Sequence, residues 1–188
     1  MKLLKYTVLY MALALGANTA IADMYEISEL REGDMKKLVV HTEPKAAPEE
    51  VFFREDGSEG QIGEFTDQIT VLNFWATWCA PCRHEMPMLS ELQNKLGSDE
   101  FEVVTIATGR NPPPAMKKFF EEIEVDNLPL HADPRMGLSR AMGVFGLPVT
   151  VILNREGEEI ARLQGDADWS SDEALTLLKA LIERSASS

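Results

Sequence analysis

The sequence predicts an α/β fold in which a central mixed sheet is flanked by helices. Residues 71–75 (VLNFW) form a short apolar run, which is typical of a buried central strand. A pair of cysteines, Cys79 and Cys82, follows this run at the start of a helical pattern. Strand and helix patterns then alternate along the rest of the chain, and this alternation predicts helices packed on a largely buried sheet.

The two cysteines are the only ones in 188 residues, and their position predicts redox chemistry. The first turn of a helix has unpaired N–H groups and a partial positive charge, and both favour a thiolate over a thiol. Thiols so placed in Cys-x-x-Cys motifs have pKa values of about 3.5 to 7. We therefore expect Cys79 to be the attacking nucleophile and Cys82, one turn deeper, to resolve the mixed disulfide. Pro81 suits the first turn, where its missing N–H costs no hydrogen bond.

A plain structural disulfide and half of a zinc site are the alternatives to a redox-active cysteine pair. A structural zinc ion takes four ligands, and the chain has no second cysteine pair. A disulfide that closes so short a loop would stabilise the fold little. A redox-active pair is therefore the favoured interpretation.

Residues 1–22 have the pattern of a secretory signal peptide. Lys2 and Lys5 precede an uncharged apolar stretch that ends in Ala20-Ile21-Ala22, which predicts cleavage after Ala22. A retained membrane anchor is the alternative, although the apolar stretch is shorter than the roughly 20 residues of a spanning helix. Export would place the thiols in the periplasm, an oxidising compartment.

The charge of the chain excludes some classes of partner. The formal net charge is -13, and removal of residues 1–22 takes away Lys2 and Lys5, which makes the charge more negative still. So acidic a protein is not expected to bind nucleic acid or an anionic bilayer. The remaining length suits one domain with a sizeable core, and we expect a monomer.

A charged lead segment, a strand and a turn are predicted before the cysteine pair, and a long helix is predicted after it. Residues 23–50 form a charged lead segment in which 37–41 could add an edge strand, and residues 51–188 form the domain. Residues 51–58 predict a strand and a turn. The helix that begins at Cys79 should run to Leu96, with apolar residues at helical spacing on its core face: Met86, Leu89, Leu92 and Leu96.

The second half of the chain predicts four strands and three helices. The predicted strands are 101–108, 128–132, 149–154 and 159–163, the last two forming a hairpin. The predicted helices are 115–123, 136–142 and a final one ending near Arg184, which the capping box Ser170 to Glu173 should begin. The proline-rich loop 109–114 is interpreted as a connector that starts a helix.

Four stretches carry a family resemblance: 74–83 (FWATWCAPCR), 85–87 (EMP), 146–150 (GLPVT) and 165–169 (GDADW). They resemble TlpA-type thiol:disulfide interchange proteins, which are relatives of ResA and CcmG in the thioredoxin superfamily. The resemblance covers roughly residues 52–183. It implies a thioredoxin fold with an N-terminal extension or hairpin before the core.

The resemblance also implies the surroundings of the cysteines. Pro148 would form a cis peptide bond against the pair, keep metals off the thiols and present the backbone of Leu147 to an extended substrate. Trp78, Ala80 and Pro81 would complete the docking surface.

Neither of the familiar proton acceptors for the second cysteine is present. Thioredoxins have a buried Asp six residues before the first cysteine, where this chain has Asn73. The acidic residue that we expect ResA and CcmG relatives to place in the loop equivalent to 109–114 is also absent. Glu85 and a path of water molecules remain as candidates for accepting the proton of Cys82.

The predicted function is that of a thiol:disulfide oxidoreductase without an organic cofactor or a metal. The resemblance implies a reductant of protein disulfides or metal-site thiols in the maturation of cytochrome c or of oxidase copper centres. A membrane electron donor would re-reduce the cysteine pair. The Ala80-Pro81 dipeptide favours a reductant, because a proline before the second cysteine is common in thioredoxin-like reductases.

Two further function classes remain open: a copper-handling chaperone that uses the cysteines as ligands, and a binding module with a static disulfide. His84, Met86 and Met88 beside the cysteines are soft ligands of the kind that copper prefers. However, the helical pattern places Met86 on the core face and the other two on the helix surface, which favours a structural role.

Overall fold

The computed structural model describes residues 26–185, which form an eight-stranded mixed sheet with helices on both faces. The strands are β1 (Val39–Lys45), β2 (Val51–Phe53), β3 (Glu59–Gln61), β4 (Ile69–Trp75), β5 (Phe101–Thr108), β6 (His131–Asp133), β7 (Val149–Leu153) and β8 (Glu159–Gln164). The α-helices are α1 (Ala80–Leu96), α2 (Pro113–Glu122), α3 (Gly137–Ala141) and α4 (Asp172–Ser185). Two short 3-10 helices span Gly33–Lys37 and Ile62–Glu64. This is the predicted thioredoxin-like fold.

The strand order is β1-β8-β7-β4-β5-β6-β2-β3, with β4 near the centre and buried along its whole length. Strands β4, β5 and β6 are parallel, and β7 runs antiparallel to β4. Phe74 lies opposite both Ile106 of β5 and Val149 of β7. The ends of β4, β5 and β6 and the start of β7 therefore lie at one edge of the sheet, which we call the carboxyl edge.

Side chains of β4 alternate between two cores, one on each face of the sheet. Val71 and Trp75 join the core formed with α1, α2 and α4, whereas Leu72 and Phe74 join the core that contains Leu138 of α3. Because alternate residues of a strand share a face, Asn73 points to the same side as Val71 and Trp75. A polar amide thus lies beneath α1, the helix that begins with the cysteine pair.

The N-terminal part of the chain completes both edges of the sheet. Strand β1 pairs with β8 at one edge, so the expected edge strand is present, displaced to Val39–Lys45. His41 secures it, with Nε2 2.6 Å from Oε1 of Glu159. At the other edge β2 and β3 form the hairpin that the resemblance implied, and Phe53 pairs with Ala132 of β6.

Three differences from the predicted boundaries have a local physical cause. The strand expected at 128–132 begins only at His131, because Pro129 has no N–H for a ladder and its carbonyl accepts a hydrogen bond from Thr105 Oγ1. Helix α2 begins at Pro113, since prolines fit the first turn of a helix. The capping box was expected to begin at Ser170, but the side chain that caps α4 is that of Ser171. Its Oγ accepts a hydrogen bond from the Ala174 N–H at 3.3 Å.

Candidate functional site

The two cysteines lie where β4 gives way to α1, at the carboxyl edge. Cys79 is the N-cap of α1, and it forms a disulfide with Cys82 whose Cα atoms are 5.3 Å apart. The backbone N–H of Cys82 points at Cys79 Sγ, with a nitrogen to sulfur distance of 3.3 Å. Such a donor stabilises negative charge on that sulfur. Cys79 is 6% exposed and Cys82 is fully buried. Of the two cysteines, only Cys79 can therefore react with the sulfur of a partner protein.

The residues expected to dock a substrate surround Cys79. Trp78, Ala80 and Pro81 are exposed, and Leu147 is half-buried. The Leu147–Pro148 peptide bond is cis. Because Val149 lies opposite Phe74, Pro148 comes to the end of β4, beside the turn that leads to Cys79. All the predicted site residues therefore share the carboxyl edge.

A carboxyl group is buried on α1, one turn beyond Cys82. Glu85 is fully buried, and its Oε1 accepts a hydrogen bond of 2.7 Å from Asn73 Nδ2. Its Oε2 accepts a longer one, 3.4 Å, from the Ala167 N–H. Asn73 Nδ2 also lies 3.0 Å from Thr150 Oγ1 of β7. Residues three apart on a helix are neighbours, so Glu85 and Cys82 share one face of α1.

The protonation of Glu85 is controlled mainly by its burial. Burial raises the pKa of Glu85 from 4.5 to about 7, although hydrogen bonds from Asn73 and Ala167 act to lower it. Its carboxyl group therefore exchanges a proton near neutral pH, in the range where acid–base groups are most effective. The sequence signal for this group was its spacing from Cys82 and its place within the apolar face of α1.

The N-terminal 3-10 helix holds the segment that covers Glu85. Asp168 donates its N–H to Asp34 Oδ2 at 3.0 Å, and Lys37 Nζ donates to the Asp166 carbonyl oxygen at 3.1 Å. Both contacts lie beside Ala167, the residue that donates to Glu85. The lead segment thus contributes indirectly to the environment of the carboxyl group.

Asn111 fixes the turn before Cys79 and was missed by the sequence interpretation, which treated loop 109–114 as a connector. Its Oδ1 accepts from both N and Oγ1 of Thr77, at 2.8 and 3.0 Å. Its Nδ2 donates to the Thr108 carbonyl oxygen at 2.9 Å. The side chain therefore ties the end of β5 to the turn that positions the nucleophile.

Arg83 braces the same turn from α1. Its guanidinium lies over the ring of Phe119, 4.1 Å from the centroid, which is a cation–π arrangement. Its Nη1 is 3.5 Å from the Thr77 carbonyl oxygen. Phe119 in turn packs on Trp75, the last residue of β4. The turn is thus supported on both sides.

His84 lies on the surface of α1 and Met86 lies in the core, as predicted. Met88 was also expected on the surface, but it is partly buried and packs against the core. Within residues 26–185, no group of three His, Cys, Asp or Glu side chains could hold a metal ion.

Comparison with known proteins identifies the family. A family model described as Redoxin matches residues 42–178. The chain belongs to the redoxin family. The curated relatives of this redoxin include the thiol-disulfide oxidoreductase ResA of Bacillus thuringiensis subsp. konkukian, 28% identical over 122 residues that make up 65% of this chain and 69% of ResA. ResA of Geobacillus thermodenitrificans is 30% identical over 112 residues, 60% of this chain and 63% of the relative.

Solved structures share the fold of this redoxin. One from Chlorobium tepidum, assigned as a thiol:disulfide interchange protein DsbE, has a TM-score of 0.64 at 24% identity and covers 74% of this chain and 96% of its own. A secreted thiol-disulfide isomerase from Corynebacterium glutamicum has a TM-score of 0.64 at 19% identity, covering 82% and 95%. With its cysteine pair, this redoxin is a thiol–disulfide oxidoreductase of the ResA type, a class that acts on protein thiols. No helix within residues 26–185 is long and apolar enough to span a membrane.

Proposed function

We propose that this redoxin is a periplasmic reductant of protein disulfides that serves the maturation of cytochrome c or of oxidase copper sites. The observation that carries the proposal is the pairing of an accessible Cys79, which caps α1, with a buried Cys82 that shares a helix face with Glu85. The relatives named ResA support the thiol chemistry. The signal-like residues 1–22, which lie outside the described part of the chain, support export.

The reaction begins at Cys79. Its thiolate attacks one sulfur of the substrate disulfide, so that a bond forms between the two sulfurs and the substrate disulfide breaks. The other substrate sulfur leaves as a thiolate and takes a proton from water. The partial positive charge of the α1 N-terminus and the Cys82 N–H favour the attacking thiolate.

The second step is carried out by Cys82 with Glu85. The Cys82 thiol gives its proton to the ionised carboxylate of Glu85, and the resulting thiolate attacks Cys79 Sγ. The mixed disulfide breaks, and the second substrate sulfur leaves and is protonated. The substrate has gained two electrons and two protons, and the Cys79–Cys82 disulfide seen in the structure remains. A membrane-bound thiol donor of electrons then restores the dithiol.

Trapping of the intermediate tests the assigned order of the two cysteines. We expect Cys82→Ser, in its reduced form, to accumulate a mixed disulfide with insulin, because Cys79 can attack but nothing resolves the intermediate. Cys79→Ser is the matched control and should form little adduct, since Cys82 is fully buried. Mass spectrometry of the non-reduced mixture measures both. Equal adduct on both variants, or adduct on Cys79→Ser alone, would contradict the assignment.

A further inference from the structure

The buried carboxyl group of Glu85 is surrounded by hydrogen-bond donors. Asn73 Nδ2 donates to Oε1 at 2.7 Å, and the Ala167 N–H donates to Oε2 at 3.4 Å. The indole N–H of Trp169 also acts to lower the pKa of Glu85, although its Nε1 has no partner at hydrogen-bonding distance. An ionised carboxylate can only accept hydrogen bonds, so these surroundings suit the ionised form.

Charged side chains lie on the segments packed around Glu85, outside this set of donors. Asp166, in the loop after β8, raises the pKa of Glu85. Within residues 26–185, no charged side chain forms a hydrogen bond with the Glu85 carboxyl group, because each has another partner: His84 Nδ1 lies 3.9 Å from Asp166 Oδ2, Lys37 Nζ pairs with Asp34 at 2.8 Å, and Asp168 Oδ1 accepts from Ser170. The hydrogen bonds of the carboxyl group therefore depend on the neutral donors.

Proton transfer from Cys82 changes what the Glu85 carboxyl group requires. Once Glu85 has taken the proton, it is a carboxylic acid whose O–H is a donor and needs an acceptor. A backbone N–H and an indole N–H can only donate, so neither Ala167 nor Trp169 can supply one. Among these three partners, Asn73 alone has both a donor and an acceptor in its side chain.

The acceptor of the Asn73 side chain is unused in the structure. Asn73 is fully buried, and its Nδ2 donates both to Glu85 Oε1 and, at 3.0 Å, to Thr150 Oγ1. Its Oδ1 has no hydrogen-bond partner within the described part of the chain, and a buried acceptor left unpaired costs free energy. Rotating the amide by half a turn places Oδ1 where Nδ2 now lies, within reach of both Oε1 and Oγ1. The Thr150 hydroxyl can donate as well as accept, so it suits either orientation.

We propose that the Asn73 amide rotates with the protonation of Glu85 and so forms a hydrogen bond with both the carboxylate and the carboxylic acid. With the carboxylate, Nδ2 donates to Oε1, as in the structure. When Cys82 gives its proton to Glu85, the new O–H donates to Asn73 Oδ1, and the rotation reverses when Glu85 releases that proton to water. Asn73 gains and loses no proton, so it is a positioning residue. This inference rests on the proposed role of Glu85 as the proton acceptor of Cys82.

NMR of the oxidised protein can follow the orientation of the amide without any redox reaction. The Cδ resonance of Glu85 reports its protonation, and NOEs from the Asn73 Nδ2 protons report their nearest neighbours. From pH 8.5 to 5.5 we expect the NOEs to Glu85 and to the Thr150 methyl group to weaken several-fold, with the midpoint of the carboxyl titration, because rotation carries Nδ2 away from both. Asn127 is the internal control, since its Nδ2 donates to the Ser90 carbonyl oxygen and not to a carboxyl group.

Two variants complete the test. The side chain in Glu85→Gln cannot ionise, so the NOEs of Asn73 should not change with pH in this variant. In Asn73→Leu, both forms of Glu85 lose a hydrogen bond, and the midpoint of the carboxyl titration should therefore rise by less than about one pH unit. A donor that served the carboxylate alone would give a larger rise when it is removed.

NOEs of Asn73 that stay constant while Glu85 titrates would overturn the rotation. A Glu85 carboxyl group that does not titrate between pH 5.5 and 8.5, or a midpoint that rises well beyond one unit in Asn73→Leu, would also overturn it. If Asn73→Leu does not fold, the wild type and Glu85→Gln decide the question. Rotation that follows the Glu85 titration in a protein that reduces no disulfide would support this inference and overturn the reductase function instead.

Discussion

Replacing Glu85 by Gln is expected to slow resolution of the mixed disulfide at pH 7 by a factor on the order of 10². The carboxylate shares a helix face with Cys82 and is fully buried, as Cys82 is. A base works in its ionised form, so the wild-type rate should rise as the pH increases through about 7, the pKa of Glu85. In Glu85→Gln that rise is lost, and the rate increases only where the Cys82 thiol ionises unaided.

Rapid-mixing measurements of the second step between pH 5.5 and 9 would show this difference, with release of the reduced substrate as the signal. Glu91→Gln is the matched control, because Glu91 lies on the same helix but pairs with Lys95 on the surface. Its profile should coincide with that of the wild type. A Glu85→Gln profile that also coincides with the wild type would remove Glu85 from the mechanism.

The same substitution is expected to stabilise the oxidised protein at pH 8 by up to about 3 kcal/mol, because burial raises the pKa of Glu85 from 4.5 to about 7. The folded state holds the Glu85 proton more tightly than the unfolded state does. Wild-type stability should therefore be unaffected by this group below pH 4.5, fall as the pH rises from 4.5 to 7, and stay reduced above that. Glutamine has no proton to lose, so this fall is absent from the variant.

Urea denaturation of both proteins at several pH values between 4 and 8 measures the effect. The difference between the two free energies of unfolding isolates Glu85, because every other titrating group is common to both. That difference should grow in favour of Glu85→Gln across the window from 4.5 to 7. Parallel curves, or a difference that grows toward acid pH, would contradict the buried ionisation described here.

The sequence was sufficient for those parts of the site that depend on local pattern. The apolar run of β4 and the helix start predicted a cysteine pair at a helix N-terminus, and the family resemblance around Pro148 implied the cis bond. These features are encoded within a few consecutive residues.

Features that depend on contacts between distant segments were harder to predict from the sequence. Asn73 and Glu85 are separated by twelve residues, and their hydrogen bond follows from α1 packing across β4. Asn111 is 34 residues from Thr77, and no local sequence pattern indicates that its side chain fixes the turn before Cys79. The exposure of Phe145 also cannot be read from its neighbours, because an apolar residue beside Val144 and Leu147 looks like part of a core.

The equilibrium reduction potential of the Cys79–Cys82 pair tests the central claim most directly. It is measured on the purified protein by titration against a thiol redox buffer, with the oxidised fraction read by alkylation. A reductant of protein disulfides should have a potential near or below about -220 mV. A value near about -120 mV would instead make the protein a donor of disulfides and contradict the proposed direction of electron flow.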